Sequence, residues 1–239
     1  MSNASISNRS LLIPIAIAGI LGQCFLSIYF SAVLVPGNLI TALASPTQLS
    51  DLVTKHQSAI LMDAWLMGIG SFLSVIFYIG LVYISGAILR FAGLLTVIAT
   101  TAVLAVALVD VTFMVEATNA AILGHTETTK VAFDFVGGGG EAFDYTFIFG
   151  PAPVLITSLG IVLLRSDIIP RFFGYAAIAV GILFFIAGLL SIFFPRASEI
   201  TIAFEIVQMC RGIWVLTLAI FILIFRKGSR RIADSISRD

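Results

Sequence analysis

Apolar runs of about 20 residues recur from one end of this chain to the other. That is the length a helix needs to cross the hydrocarbon of a bilayer. Inside lipid every backbone N–H and C=O must pair within its own segment, which leaves helices as the natural solution for such runs. Only 11% of the 239 residues are charged, against roughly 25% in soluble domains. The composition excludes a disordered chain, a collagen-like chain and a nucleic-acid binder working through bulk basic charge. The class is an all-α polytopic membrane protein, one domain throughout.

Six spans are expected, at about residues 11–35, 58–85, 89–115, 144–164, 172–194 and 206–225. The first apolar run is too long for the core of a cleaved signal peptide and reads as a span. Cys24 and Cys210 both fall in apolar runs and read as free thiols. No zinc-type Cys/His spacing accompanies them. Gly174, Gly181 and Gly188 recur at sevens in the fifth span. Small residues at that spacing let a neighbouring helix approach closely.

Lys and Arg set orientation. One side holds Arg9, Arg90, Arg165, Arg171, Arg226, Lys227, Arg230, Arg231 and Arg238, nine in all. The other holds Lys55, Lys130 and Arg196, with Arg211 inside the sixth span. This bias predicts both termini in the cytoplasm. The acids separate in the opposite sense. Asp167, Asp234 and Asp239 are on the inner side, and the other ten lie on the outer side or in outer helix ends. A net charge of zero conceals about +6 inside and −6 outside.

The outer segments carry the chemistry. Ser45-Pro46-Thr47-Gln48 is a capping box with Pro at the first helical position. It predicts a helix leading into span two, with Asp51 and Lys55 four apart. Its apolar face, Leu49, Leu52 and Val53, is expected to lie on the membrane surface. Helical character continues past span three to Leu123, where Gly124 suits a C′ position. Helix four is also expected to extend outward, with a break at Gly137–Gly140, because each Gly costs roughly 1 kcal/mol against Ala. Helices two, three and four therefore all have outer extensions.

A ruler of about 20 residues from each inner end brings Asp63, Asp110, Asp144 and Glu205 to one level. It puts Arg211 roughly 6 Å deeper. Ionisable residues at such depth face a bundle interior and mark function. Asp63, Asp110, Asp144 and Arg211 are thus expected to line an acidic chamber open to the outside, with Glu141 and Glu205 at its rim. Gln23, Ser27 and Ser31 add a polar stripe on span one. The chamber suits a cation, a proton or a cationic amphiphile. A lone buried Arg clamped to one carboxylate, with the acids merely solvated helix ends, is the plainer alternative.

Catalytic signatures are sparse. The two histidines, His56 and His125, are both on the outer side. His56 with Asp63 supplies two potential metal ligands, and a further carboxylate would complete a site. There is no GxSxG, and the tetraglycine lacks the Lys and Ser or Thr of a phosphate loop. No cofactor is expected, and no nucleic-acid partner.

From Phe143 onward the chain resembles an uncharacterised family of bacterial six-span membrane proteins. The resemblance rests on Phe143-Asp144-Tyr145-Thr146-Phe147-Ile148-Phe149-Gly150-Pro151, Leu164-Arg165-Ser166, Ile169-Pro170-Arg171 and Gly212-Ile213-Trp214. Where that family tends to have Trp-Glu, this chain has Val207-Gln208, with Arg211 nearby. The resemblance implies six spans and a bacterial inner membrane, and it brings no activity.

The leading expectation is a small transport or ligand-binding membrane protein. A membrane-embedded enzyme and an accessory subunit are the competing classes. The charge bias has a direct test. Cysteines introduced as Ser2→Cys and Ser237→Cys should be shielded from impermeant thiol reagents in intact cells. Labelling of either from outside reverses the orientation.

Overall fold

The structure, a computed structural model, describes residues 3–31, 45–136, 147, 150–193 and 198–236. These form eight α-helices: α1 (Asn3–Phe30), α2 (Pro46–Lys55), α3 (Gln57–Ile84), α4 (Phe91–Ile122), α5 (Thr126–Val136), α6 (Pro151–Leu164), α7 (Arg171–Phe193) and α8 (Ser198–Ile236). No strand occurs among the described residues. Five segments are long and apolar enough to cross a membrane: Leu11–Phe30, Gln57–Ile84, Phe91–Ile122, Arg171–Phe193 and Glu205–Ile224. α6 is apolar but has only 14 residues. Of the expected fourth span, the described helix starts at Pro151. Glu141, Asp144 and the tetraglycine lie outside the described residues, as does the end of span one beyond Ser31.

Packing joins α1 to α3, α3 to α4, α4 to α6, α6 to α7, α7 to α8, and α8 back to α1. The result is a closed ring of six helices in which α4 and α8 hold opposite positions. α3 also touches α6 across the ring.

Glycines set the closest approaches. A Cβ on Gly22 would lie 3.0 Å from the Gly70 carbonyl oxygen, and one on Gly19 would lie 2.6 Å from the Phe77 ring. On the other side of the ring, a Cβ on Gly160 would lie 2.8 Å from the Gly174 carbonyl oxygen, and one on Gly181 would collide with the Thr157 hydroxyl. Two members of the heptad-spaced set, Gly174 and Gly181, therefore do bring α6 and α7 together.

α2 and α5 stand apart from the ring as a small cap. The Ser45 capping box is present, with Ser45 Oγ accepting from Gln48 N and Gln48 Oε1 accepting from Ser45 N. α4 runs out to Ile122, and Gly124 at φ +76° closes it. The Gly124 N–H then bonds Ala121 O, and the His125 N–H bonds Ala120 O. The apolar face of α2 does not rest on lipid as expected. Leu49 and Val53 are buried in a cluster with Ile60, Ala64, Met114, Ala117 and Phe133. α5 and the extended end of α4 supply a cheaper cover than headgroups, since apolar area removed from water is worth about 25 cal/mol per Å2. Asp51 and Lys55 make no ion pair within 4 Å. Among the described residues Lys130–Asp134, at 2.9 Å, is the pair that forms.

The larger core fills the end of the ring away from the cap, around Phe77, Leu81, Leu155, Leu159, Leu163, Phe184 and Leu218. Polar groups there are paired. Thr96 Oγ1 meets Ser158 Oγ at 2.9 Å, and Trp214 Nε1 donates to Phe173 O at 3.0 Å. Trp214 thus fastens α8 to α7.

The close approaches predict unequal tolerance. Gly160→Val should destabilise the bundle by about 1–3 kcal/mol through overpacking, read as a lower unfolding temperature in detergent. Gly68→Ala, whose new Cβ meets nothing nearer than Val111 at 3.8 Å, should be near neutral.

Candidate functional site

The half of the ring nearer the cap contains a cavity. Residues of α1 (Tyr29), α3 (Ser71, Tyr78), α4 (Asp110) and α8 (Gln208, Arg211) give its polar surface. Leu26, Phe30, Met67, Val75, Val103, Val106 and Phe147 give the apolar walls. Phe147 precedes α6 and packs edge-on to Phe184 at 5.9 Å. The cavity leaves about 70 Å3 for the centres of water-sized molecules. One water needs roughly 10–15 Å3 on that measure, so the space suits a handful of waters or one small ligand.

Helix periodicity explains the lining. On α3, Met67, Ser71, Ser74 and Tyr78 recur at three or four residues and share a face. On α4, Thr100, Val103, Ala107 and Asp110 do the same. Gln208 and Arg211 are three apart on α8. The Ser74 and Thr100 hydroxyls donate to the carbonyls of Gly70 and Thr96 in their own helices. The polar surface left for a ligand comes mainly from the charged, amide and phenol groups.

Asp110 and Arg211 are 6% and 5% exposed. Asp110 Oδ2 accepts from the Tyr29 hydroxyl at 3.3 Å. The Arg211 guanidinium lies close enough to the Tyr78 phenol to act on it as a charge. Two polar atoms are buried without a hydrogen-bond partner on this wall, Arg211 Nε and Gln208 Oε1. Among the described residues Arg211 has no carboxylate within 4 Å, so the pairing expected with Asp110 is not made. The other expected partner, Asp144, lies outside the described residues.

Contacts between helices fix the heights. Gly68 faces Val111, Gly22 faces Gly70 and Ser74, and Gly212 faces Gln23. Asp110 and Arg211 are therefore level within about one helical turn. Asp63 is five residues nearer the cap than Gly68, roughly 8 Å along α3. It is not level with Asp110, and it is not among the residues lining the cavity. The fixed ruler failed because it assumed inner ends at one plane, whereas packed helices are staggered by their contacts.

Asp63 is 5% exposed, beside Ile60 and Ala64 of the cap cluster, and its Oδ1 has no hydrogen-bond partner. Glu205 is exposed, and His56 is half-buried where α2 passes into α3. No group of three or more His, Cys, Asp or Glu side chains converges among the described residues. His56 and Asp63 thus have no third ligand there. The polar stripe of span one turns elsewhere. Gln23 packs on Gly212 and donates to Ser27 at 3.2 Å. Cys24 and Cys210 are free.

Tyr29 and Tyr78 escaped the sequence reading, and Gln208 entered it beside Arg211 without being assigned to the site. The i, i+3 spacing of Gln208 and Arg211 would have revealed the amide. The two tyrosines look like ordinary apolar-span aromatics until the facing helices are known. Fold and cavity together define an all-helical protein with five membrane-length apolar helices and a small polar cavity inside the bundle. Comparison of the chain with models of protein families, with curated proteins and with solved structures finds no match.

The lone carboxylate at Asp63 yields a prediction. A buried polar atom without a partner costs about 1–3 kcal/mol, and an apolar group of similar shape removes that cost. Asp63→Leu should therefore raise the unfolding temperature in detergent. A marked drop would mean that Asp63 holds a partner the fold needs.

Proposed function

We propose that the chain is a six-span protein of a bacterial inner membrane, with both termini cytoplasmic, and that its cavity binds a small ligand reached from outside. The observation that carries the reading is the cavity itself. Asp110 and Arg211 are drawn into one space in the cap half of the ring, while the opposite half is filled by apolar side chains. The basic residues concentrated at the end away from the cap support a cap that faces outward. α6 takes the sixth place in the ring, between α4 and α7. Reading it as the remaining span gives an even number of crossings, and so termini on one side.

Asp110 supplies the attraction for a cationic or protonatable group, and the apolar walls supply burial for a short hydrocarbon portion. Membrane lipid surrounds the ring, which exposes Phe72, Ile98, Phe172, Phe193 and Ile213 around its circumference. Binding, with or without transport, suits the site better than catalysis, because among the described residues no nucleophile–base pair or metal-ligand set faces the cavity. A transport cycle would require the packed half around Phe77 and Leu159 to open.

The test is accessibility. In a Cys24→Ala, Cys210→Ala background, Ser71→Cys should react with impermeant cationic thiol reagents added outside intact cells. Ser158→Cys, in the packed half, should not. Failure of Ser71→Cys to react from outside sinks the outward-facing cavity.

A further inference from the structure

We propose that the ligand of this cavity is a small zwitterion, with its cationic end toward Asp110 and Tyr29 and its anionic end toward Arg211 and Tyr78. The inference rests on reading the cavity as a ligand site and adds the ligand's second charge.

The cavity has walls of opposite sign. Asp110 is on α4 and Arg211 on α8, which hold opposite positions in the ring. They are level within about one turn. Each is more than nine-tenths buried. A purely acidic chamber would select a cation. Among the described residues the lining holds one carboxylate and one guanidinium, and a pair of opposite buried charges rejects a ligand of either single charge more than it rejects a dipole. A monocation that reaches Asp110 brings an uncompensated charge into the field of Arg211. A monoanion at Arg211 meets Asp110 in the same way. These penalties are large because buried charges are poorly screened by salt.

The atoms without partners point to the same chemistry. Arg211 Nε carries an N–H with nothing to receive it, and Gln208 Oε1 is an acceptor with no donor. Both belong to one face of α8 and both line the cavity. A carboxylate accepts from the first. The second, one turn away on the same helix, accepts an N–H or O–H from the ligand or from a water beside it. A guanidinium and a carboxylate form charge-assisted bonds, which are shorter and stronger than neutral ones. Leu26, Met67, Val75, Val103, Val106 and Phe147 line the same space. They fit a short methylene stem. The proposed class is therefore a compact amphiphile with separated ammonium and carboxylate groups.

The test compares probes that differ only in charge. Purified full-length protein in nanodiscs is titrated calorimetrically with ω-amino acids of three to seven carbons, and with the alkylammonium and alkanoate ions of matching length. At least one zwitterion should bind about tenfold tighter than both of its singly charged analogues, the difference made by one charge-assisted bond. Arg211→Gln should erase the zwitterion's advantage over the alkylammonium ion, weakening the zwitterion and strengthening the alkylammonium ion once the guanidinium's repulsion is gone. Arg211→Lys should restore part of the preference. Asp110→Asn should do the reverse, erasing the advantage over the alkanoate. If the Arg211 variants fail to fold, the ranking of probes on the unmodified protein decides the question alone.

An alkylammonium ion that binds as tightly as every zwitterion overturns the inference. So does the absence of binding by the whole series, which leaves the orphan atoms to water. Reaction of Ser71→Cys from outside separates the two levels. Where it reacts and the zwitterions show no advantage, only the ligand class falls. Where it does not react, the outward-facing site falls with it.

Discussion

Helices in lipid gain little from hydrophobic burial against each other, so their association depends on close van der Waals contact. In this protein glycine supplies that contact at two places, between α1 and α3 and between α6 and α7. Gly22 against Gly70 and Gly160 against Gly174 bring backbone next to backbone. The contacts of α1 with α3 run from Ile15 at Gly80, through Gly19 at Phe77, to Leu26 at Gly70. The cavity lies beside this seam, lined by Leu26, Tyr29 and Phe30 of α1 and by Met67, Ser71, Ser74, Val75 and Tyr78 of α3.

The cavity inherits its polarity from the closure of that ring. α4 and α8 do not pack on each other as the tight pairs do, and each turns one charged residue inward. Neither charge is cancelled by the other at contact distance among the described residues. Tyr29 serves Asp110 and Tyr78 serves Arg211. The phenols soften two desolvated charges that would otherwise collapse together or drive the helices apart. Burying a charge is costly, and proteins retain buried charges where function requires them.

Much of the architecture was legible from residues alone. Apolar runs gave the long helices, Ser45-Pro46-Thr47-Gln48 gave the start of α2, and Gly124 gave the end of α4. Those signals are local, set by hydropathy, capping and a positive φ. Gly174 and Gly181 also worked, since their effect requires only that some helix be near. The readings that failed needed to know which helix. The α2 face was assigned to lipid because the sequence does not announce α5 as its cover. Asp63 and Asp110 were placed at one depth because helix stagger is set by Gly68 against Val111, a contact about 40 residues apart along the chain. Arg211 and Asp110 were legible as buried and functional-looking, but not as opposing walls, which depends on the order of helices around the ring. Tyr29 and Tyr78 were invisible for the same reason.

The distribution of satisfied polar atoms gives the two ends of the molecule different characters. In the packed half, Thr96 and Ser158 satisfy each other, Thr100 bonds back to Thr96, and Trp214 closes on Phe173. Only Ser85 Oγ, at the turn after α3, lacks a partner there among the described residues. In the cap half, Asp63 Oδ1, Gln208 Oε1 and Arg211 Nε are all buried without one. Native structures leave few such atoms, and each calls for a reason. Random imperfection would scatter them among the many hydroxyls of the spans. Here they fall on charged or amide groups, two of them on one face of α8. Asp63 lies on the same face of α3 as Met67, Ser71 and Tyr78, one turn toward the cap from the cavity wall. The end that is well satisfied therefore reads as scaffold, and the end that is under-satisfied reads as the place where something from outside the chain completes the bonding.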